Sequence, residues 1–159
     1  RPLPKEAIYQ NIPDGNGAVF ELYPIFSSYS NVDPLDIKNQ LCLQQVEHHR
    51  PLLISCMGTR TDNSVDWILR TNFFEDALYK SAHNWNQLLP DIGVDTIVYH
   101  RDWFSSGDLE RLDTVLLQWF GNPTIESDSG HILIWTLAGT LANRQEAQGA
   151  LRTHFPEIE

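Results

Sequence analysis

His100-Arg101-Asp102 sets an imidazole, a guanidinium and a carboxylate in three consecutive positions. The segment closes Thr96-Ile97-Val98-Tyr99-His100, a β-branched and aromatic run that predicts a strand. In open α/β sheets, ligands bind beyond the carboxyl ends of parallel strands. Two more predicted strand ends carry polar residues, Tyr23-Pro24 and Gly58-Thr59-Arg60. If those strands run parallel, the three ends share one rim, and Arg60 and Arg101 can grip an anion by forked hydrogen bonds. The competing reading has Asp102 capping the following turn while both arginines pair with surface carboxylates.

Other chemistries find less support. His48-His49 are adjacent, so on a helix they point about 100° apart and cannot chelate one metal together. His83, His100, His131 and His154 show no HxxxH or HExxH spacing, and Cys42 and Cys56 have no metal-ligand spacing. No metal or cofactor is therefore expected. Gly15-Asn16-Gly17 precedes a predicted strand instead of following one, which makes it a turn and not a phosphate cradle. No serine-elbow glycines occur. Of the five tryptophans, Trp119 and Trp135 fall on core-facing patterns. Trp103-Phe104 follows a strand in a predicted loop, where it is either an exposed apolar contact or a plug over the sheet.

These groups need a scaffold, and the chain supplies punctuation for one. Ala18–Leu22 predicts a strand, stopped by Pro24. Asp33-Pro34 starts a helix that runs to about His49 and ends at Arg50-Pro51. Leu52–Met57 is a continuous apolar run, the pattern of a strand covered on both faces. Residues 64–89 predict helix with a break near Thr71-Asn72, closed by Pro90 and Gly93. Leu109, Leu112, Leu116 and Trp119 repeat at helical spacing between a capping box at Ser105 and Asp108 and the stop at Gly121 and Pro123. Residues 124–128 and 132–135 predict a hairpin turning at Ser129-Gly130, and a helical tail follows over 141–152. The expected fold is three-layer α/β, with a mainly parallel sheet of about five strands and an antiparallel C-terminal hairpin at its edge. One domain is expected over residues 1–159, with a core over 5–136 and a tail over 137–159.

Composition sets the outer limits. At 159 residues, with 42% hydrophobic and 20% charged, the chain has the usage of one globular domain. A net charge of -10 excludes nucleic acid as a partner, because a phosphate backbone repels such a surface. No apolar run reaches the length of about 18 residues that a membrane span needs, and no signal peptide is visible. The chain opens at Arg1-Pro2 without an initiator Met, the expectation for a processed product or a piece of something longer.

Several of these segments, in order, are similar to a known pattern. Gly17–Pro24 resembles the "VLELP" strand that opens the C-terminal soluble domain of certain polytopic bacterial membrane proteins of the C-superfamily glycosyltransferase type. Gln45–Pro51 resembles their "QTxHGKP" segment, Gly93–Asp102 their "LGVRYVVVHRD", and Gly121–Asp128 with Ile132–Trp135 their "GxPVYEDD" followed by "IAVYRL". His49 replaces the usual Gly, and the usual "GYxSR" is reduced to Gly58 and Arg60. The resemblance adds His48 and Arg50 to Arg60, His100, Arg101 and Asp102 as candidate ligand residues.

What the resemblance implies is an accessory domain on the extracytoplasmic face, in a protein whose transmembrane region is its first partner. The catalytic carboxylate of such transferases lies in the membrane portion, so this domain is expected to be non-catalytic alone. It would position an acceptor glycan or cover a polyprenyl-phosphate-linked sugar. The rivals are a stand-alone sugar- or anion-binding module at the same rim and a small hydrolase.

Overall fold

A computed structural model describes residues 17–24, 60–138 and 142–157, with the side chains of 60–66 and 144 excepted. The helix expected over 33–49, the strand at Leu52–Met57, both cysteines, His48 and Arg50 lie outside the described residues. The elements run β1 (Ala18–Leu22), α1 (Arg60–Leu78), α2 (Trp85–Asp91), β2 (Val94–His100), a 3-10 turn (Arg101–Trp103), α3 (Ser106–Phe120), β3 (Ile125–Glu126), β4 (Ile132–Thr136) and α4 (Arg144–His154).

The chain is α/β, and its described residues form a four-stranded mixed sheet in the order β1-β2-β4-β3. β1 lies parallel to β2, whereas β2–β4 and β3–β4 are antiparallel. About five mainly parallel strands in three layers are thus not what the described residues form. The strand expected at Leu52–Met57 lies outside the described residues, and of the described pairings only β1–β2 is parallel, because β4 returns directly against β2. The hairpin still provides the antiparallel edge, but β3 is only two residues long.

Strand alternation divides the sheet into two faces. Phe20, Leu22, Val94, Ile97, Tyr99 and Trp135 meet the helices in the main core. All four described helices reach that face: α1 through Leu69, Phe73, Phe74, Ala77 and Leu78, α2 through Trp85, Leu88 and Leu89, α3 through Leu112 and Leu116, and α4 through Leu151. Phe73 sits at the centre, with edge-to-face contacts to Phe20, Phe74, Trp85 and Trp119. Val19, Val98, Ile132 and Ile134 form a second buried cluster on the opposite face. Among the described residues, no helix contributes to it.

Helix boundaries follow local chemistry that the pattern alone misplaces. α1 runs through Thr71-Asn72 without a break, because the Asn72 amide donates to the Ile68 carbonyl at 2.8 Å and Leu69, Phe73, Ala77 form one buried stripe. The interruption falls later, between Leu78 and Trp85. At Ser105 the expected capping box is partial: its hydroxyl lies 3.2 Å from Asp108 Oδ2 and bonds no backbone N–H of the helix. Gly121 does end α3, at φ 77° and ψ -155°. α4 begins with a true cap, the Asn143 Oδ1 accepting from Glu146 N–H at 2.9 Å.

Candidate binding rim at the strand ends

Because β1 and β2 are parallel, their carboxyl ends share one rim of the sheet. Glu21 pairs in register with Val98, so His100, two residues on, points to the same face as Glu21 from the neighbouring strand. The two side chains meet: His100 Nε2 lies 2.6 Å from Glu21 Oε2, with each side chain 1% exposed. A carboxylate fully buried in a strand needs a hydrogen-bonding partner, and the imidazole provides one. Trp103 covers the imidazole in parallel stacking, ring centroids 3.9 Å apart and planes within 2°. The 3-10 turn makes this possible by folding Trp103 back over the residue that precedes the turn.

Arg70 of α1 closes the same rim from the helix side. It is fully buried and donates from Nη1 to the Glu21 carbonyl. Its guanidinium lies 4.1 Å from the Tyr23 ring centroid and 4.8 Å from that of Phe20. Ring faces stabilise a desolvated cation in this geometry by about 2 kcal/mol.

Arg101 turns to the helix-bearing side. Its Nε and Nη2 donate to the two carboxylate oxygens of Asp113 at 3.0 and 2.6 Å, and its Nη1 donates to the Gly130 carbonyl at 3.0 Å. That hydrogen bond to Asp113 holds the guanidinium pKa above its ordinary value. The Tyr99 hydroxyl donates to the same carboxylate at 3.0 Å, and burial, followed by the Asp113 charge, drives the phenol pKa well above 10. The fork of Arg101 is therefore already filled by a carboxylate, so an anion at this point has to displace Asp113. Asp102 lies half exposed on the turn, its carboxylate 3.7 Å from His131 Nδ1. The Arg101 N–H to His131 carbonyl bond, 2.8 Å, ties the β3–β4 loop to the rim.

The structure thus brings His100, Arg101 and Asp102 to one strand end but points them three ways: into the sheet, towards α3 and towards the β3–β4 loop. Arg60 is the first residue of α1, and its side chain is not among those described. Trp103 and Phe104 are buried, at 5% and 2% exposure, which makes them the plug over the sheet and not an exposed apolar contact. Among the described residues, no group of three His, Cys, Asp or Glu side chains could hold a metal ion. No described helix is long and apolar enough to cross a membrane.

Glu21, Arg70 and Asp113 were not legible as rim residues. Glu21 had a signal, a lone carboxylate inside the apolar run Ala18–Leu22. Arg70 and Asp113 had none, because each looks like an ordinary charged residue on a helix.

Two cavities lined by described residues flank the core. One, of about 290 Å³, lies beside the Arg101–Asp113 pair and is lined also by Leu117, Glu126 and Trp135. The other, of about 480 Å³, opens at the α1–α2 connection against the end of α3. Compared with known protein families, curated proteins and solved structures, the chain finds no match in any of the three.

Proposed function

We propose that this chain is an accessory, extracytoplasmic domain of a membrane-embedded, glycosyltransferase-like protein. In this reading it performs no transfer alone and helps to position an acceptor glycan or to cover a lipid-linked sugar donor. One observation carries the reading. Segments resembling that group form the four described strands of one sheet, and the Glu of the first and the His of the "HRD" segment lie 2.6 Å apart although 79 residues separate them. Two polar residues from separate segments of that resemblance thus meet as one buried unit at the strand ends, which suits a structural and positioning role. Arg101, held by Asp113 and Gly130, suits it too, since the fork that would grip an anion braces the rim.

Antibodies raised against the 159-residue chain test this in the source cell. On fractionation, the antigen is expected in the membrane pellet after a high-salt wash, in a species much larger than this chain. Protease added to intact spheroplasts is expected to remove it. An antigen that stays in the soluble cytosolic fraction, protected until lysis, refutes the proposal.

A further inference from the structure

The connection between α1 and α2 builds a second polar site that the strand-end rim does not include. Asp76, near the end of α1 and 7% exposed, accepts from the backbone N–H of His83 at 3.2 Å, lies 2.7 Å from His83 Nδ1 and accepts from Trp85 Nε1 at 2.7 Å. A carboxylate only accepts, so the proton of this contact sits on Nδ1, and in the neutral ring Nε2 is the acceptor nitrogen. The His83 ring is fixed from behind as well, 5.7 Å from Trp85 and 5.4 Å from Phe155. Its side chain remains 23% exposed and lines the cavity of about 480 Å³.

Around it stand Ser81, Asn84, Asn86 and Gln118, all exposed, and the half-buried indole of Trp119. Trp119 is anchored edge-to-face on Phe73, centroids 5.6 Å apart, so its position is set by the core. The three amides make no side-chain hydrogen bond among the described residues, and each offers both donors and acceptors. Among the described residues, no Lys, Arg, Asp or Glu lines the cavity. Its volume lies in the range of roughly 300–1,000 Å³ typical of small-molecule sites.

The geometry points to a binding site for a neutral saccharide unit. Sugar hydroxyls donate and accept at once, which planar amides and an oriented imidazole nitrogen match. The C–H face of a pyranose suits an indole fixed at the cavity wall. Anionic ligands are disfavoured: among the described residues no cation lines the cavity to meet a phosphate, and the chain as a whole carries -10. The site deepens the reading proposed above by naming its substrate class, yet it rests on its own cavity and does not require a membrane location.

The test uses the 159-residue chain labelled with 5-fluorotryptophan, each fluorine resonance assigned by a Trp→Phe variant. Methyl glucoside, methyl mannoside, methyl galactoside, N-acetylglucosamine and glucose 1-phosphate are titrated separately into the tens of millimolar. At least one neutral sugar is expected to move the Trp119 resonance saturably while that of Trp135, beside the other cavity, stays put. Asn86→Ala and Gln118→Ala, both at exposed positions, are each expected to weaken that binding by roughly threefold to tenfold, the loss of one neutral hydrogen bond. The inference is overturned if no neutral sugar moves Trp119, if both variants bind as the parent does, or if glucose 1-phosphate binds tighter than every neutral sugar. Failure here leaves the membrane topology untouched, and a cytosolic location leaves this binding untouched, so the two readings fail separately.

Discussion

His100→Ala probes the unit that holds the strand ends together. The substitution takes the imidazole from a position where it is 1% exposed and removes its 2.6 Å contact to Glu21 Oε2 at equal burial. A buried polar atom stripped of its partner costs about 1–3 kcal/mol, and loss of the stack on Trp103 adds about 0.5–1.5 kcal/mol. The expected destabilisation is therefore about 2–4 kcal/mol. At about 2–4 °C per kcal/mol for a chain of this length, the thermal midpoint falls by roughly 5–15 °C. Urea unfolding followed by far-UV circular dichroism measures the free energy, and Glu21→Gln with the double variant completes a mutant cycle. A contact this close should give a coupling of about 1 kcal/mol or more. Single effects that add to within about 0.3–0.5 kcal/mol would refute the reasoning, because they would show that the two side chains do not sense each other.

Three further outcomes follow from the same geometry. Tyr99 releases its proton more readily in the unfolded chain, near pH 10, because burial and Asp113 hold its folded pKa higher. The stability linked to it is intact below about pH 10 and declines as pH rises past that value. In alkaline absorbance titration, Tyr99 should ionise only with unfolding, and Tyr99→Phe should abolish that step. Asp76→Ala removes the acceptor of the Trp85 indole N–H, whose ring is 1% exposed, and should cost about 2–4 kcal/mol in urea unfolding; a cost below about 0.5 kcal/mol refutes its anchoring role. Gly121→Ala should cost about 1–3 kcal/mol through its backbone at φ 77°, since no atom lies within 4 Å of the added methyl. Gly107→Ala, in α3 and equally open, should be neutral or stabilising by up to about 1 kcal/mol, so similar losses at both sites would count against the backbone account.

Several elements of the fold were legible along the chain. β1 is bounded by Gly17 and Pro24 and β2 ends at His100 as read, because β-branched runs and turn residues act locally. The apolar repeat through Leu112 and Leu116 marked the buried side of α3, and Gly121 its end. Helix breaks read less well. Thr71-Asn72 looks like an interruption in isolation, yet burial of Leu69 and Phe73 carries α1 through it, and the true gap forms where Asp76 gathers His83 and Trp85. The sheet differed for a related reason: β4 finds its partner in β2, more than thirty residues earlier, and no local pattern encodes that pairing.

By itself, the sequence determined an acidic α/β chain with named strand ends and a polar His100-Arg101-Asp102 segment at one of them. Only the tertiary structure decided what those side chains do: His100 meets Glu21, Arg101 is clasped by Asp113, and Asp102 faces His131. The saccharide site proposed at His83 likewise needs Gln118 and Trp119, brought from α3 to the α1–α2 connection. The physical reason is the same in each case. Secondary structure follows from interactions a few residues apart, whereas a charge is solvated, paired or buried according to neighbours that only chain packing supplies.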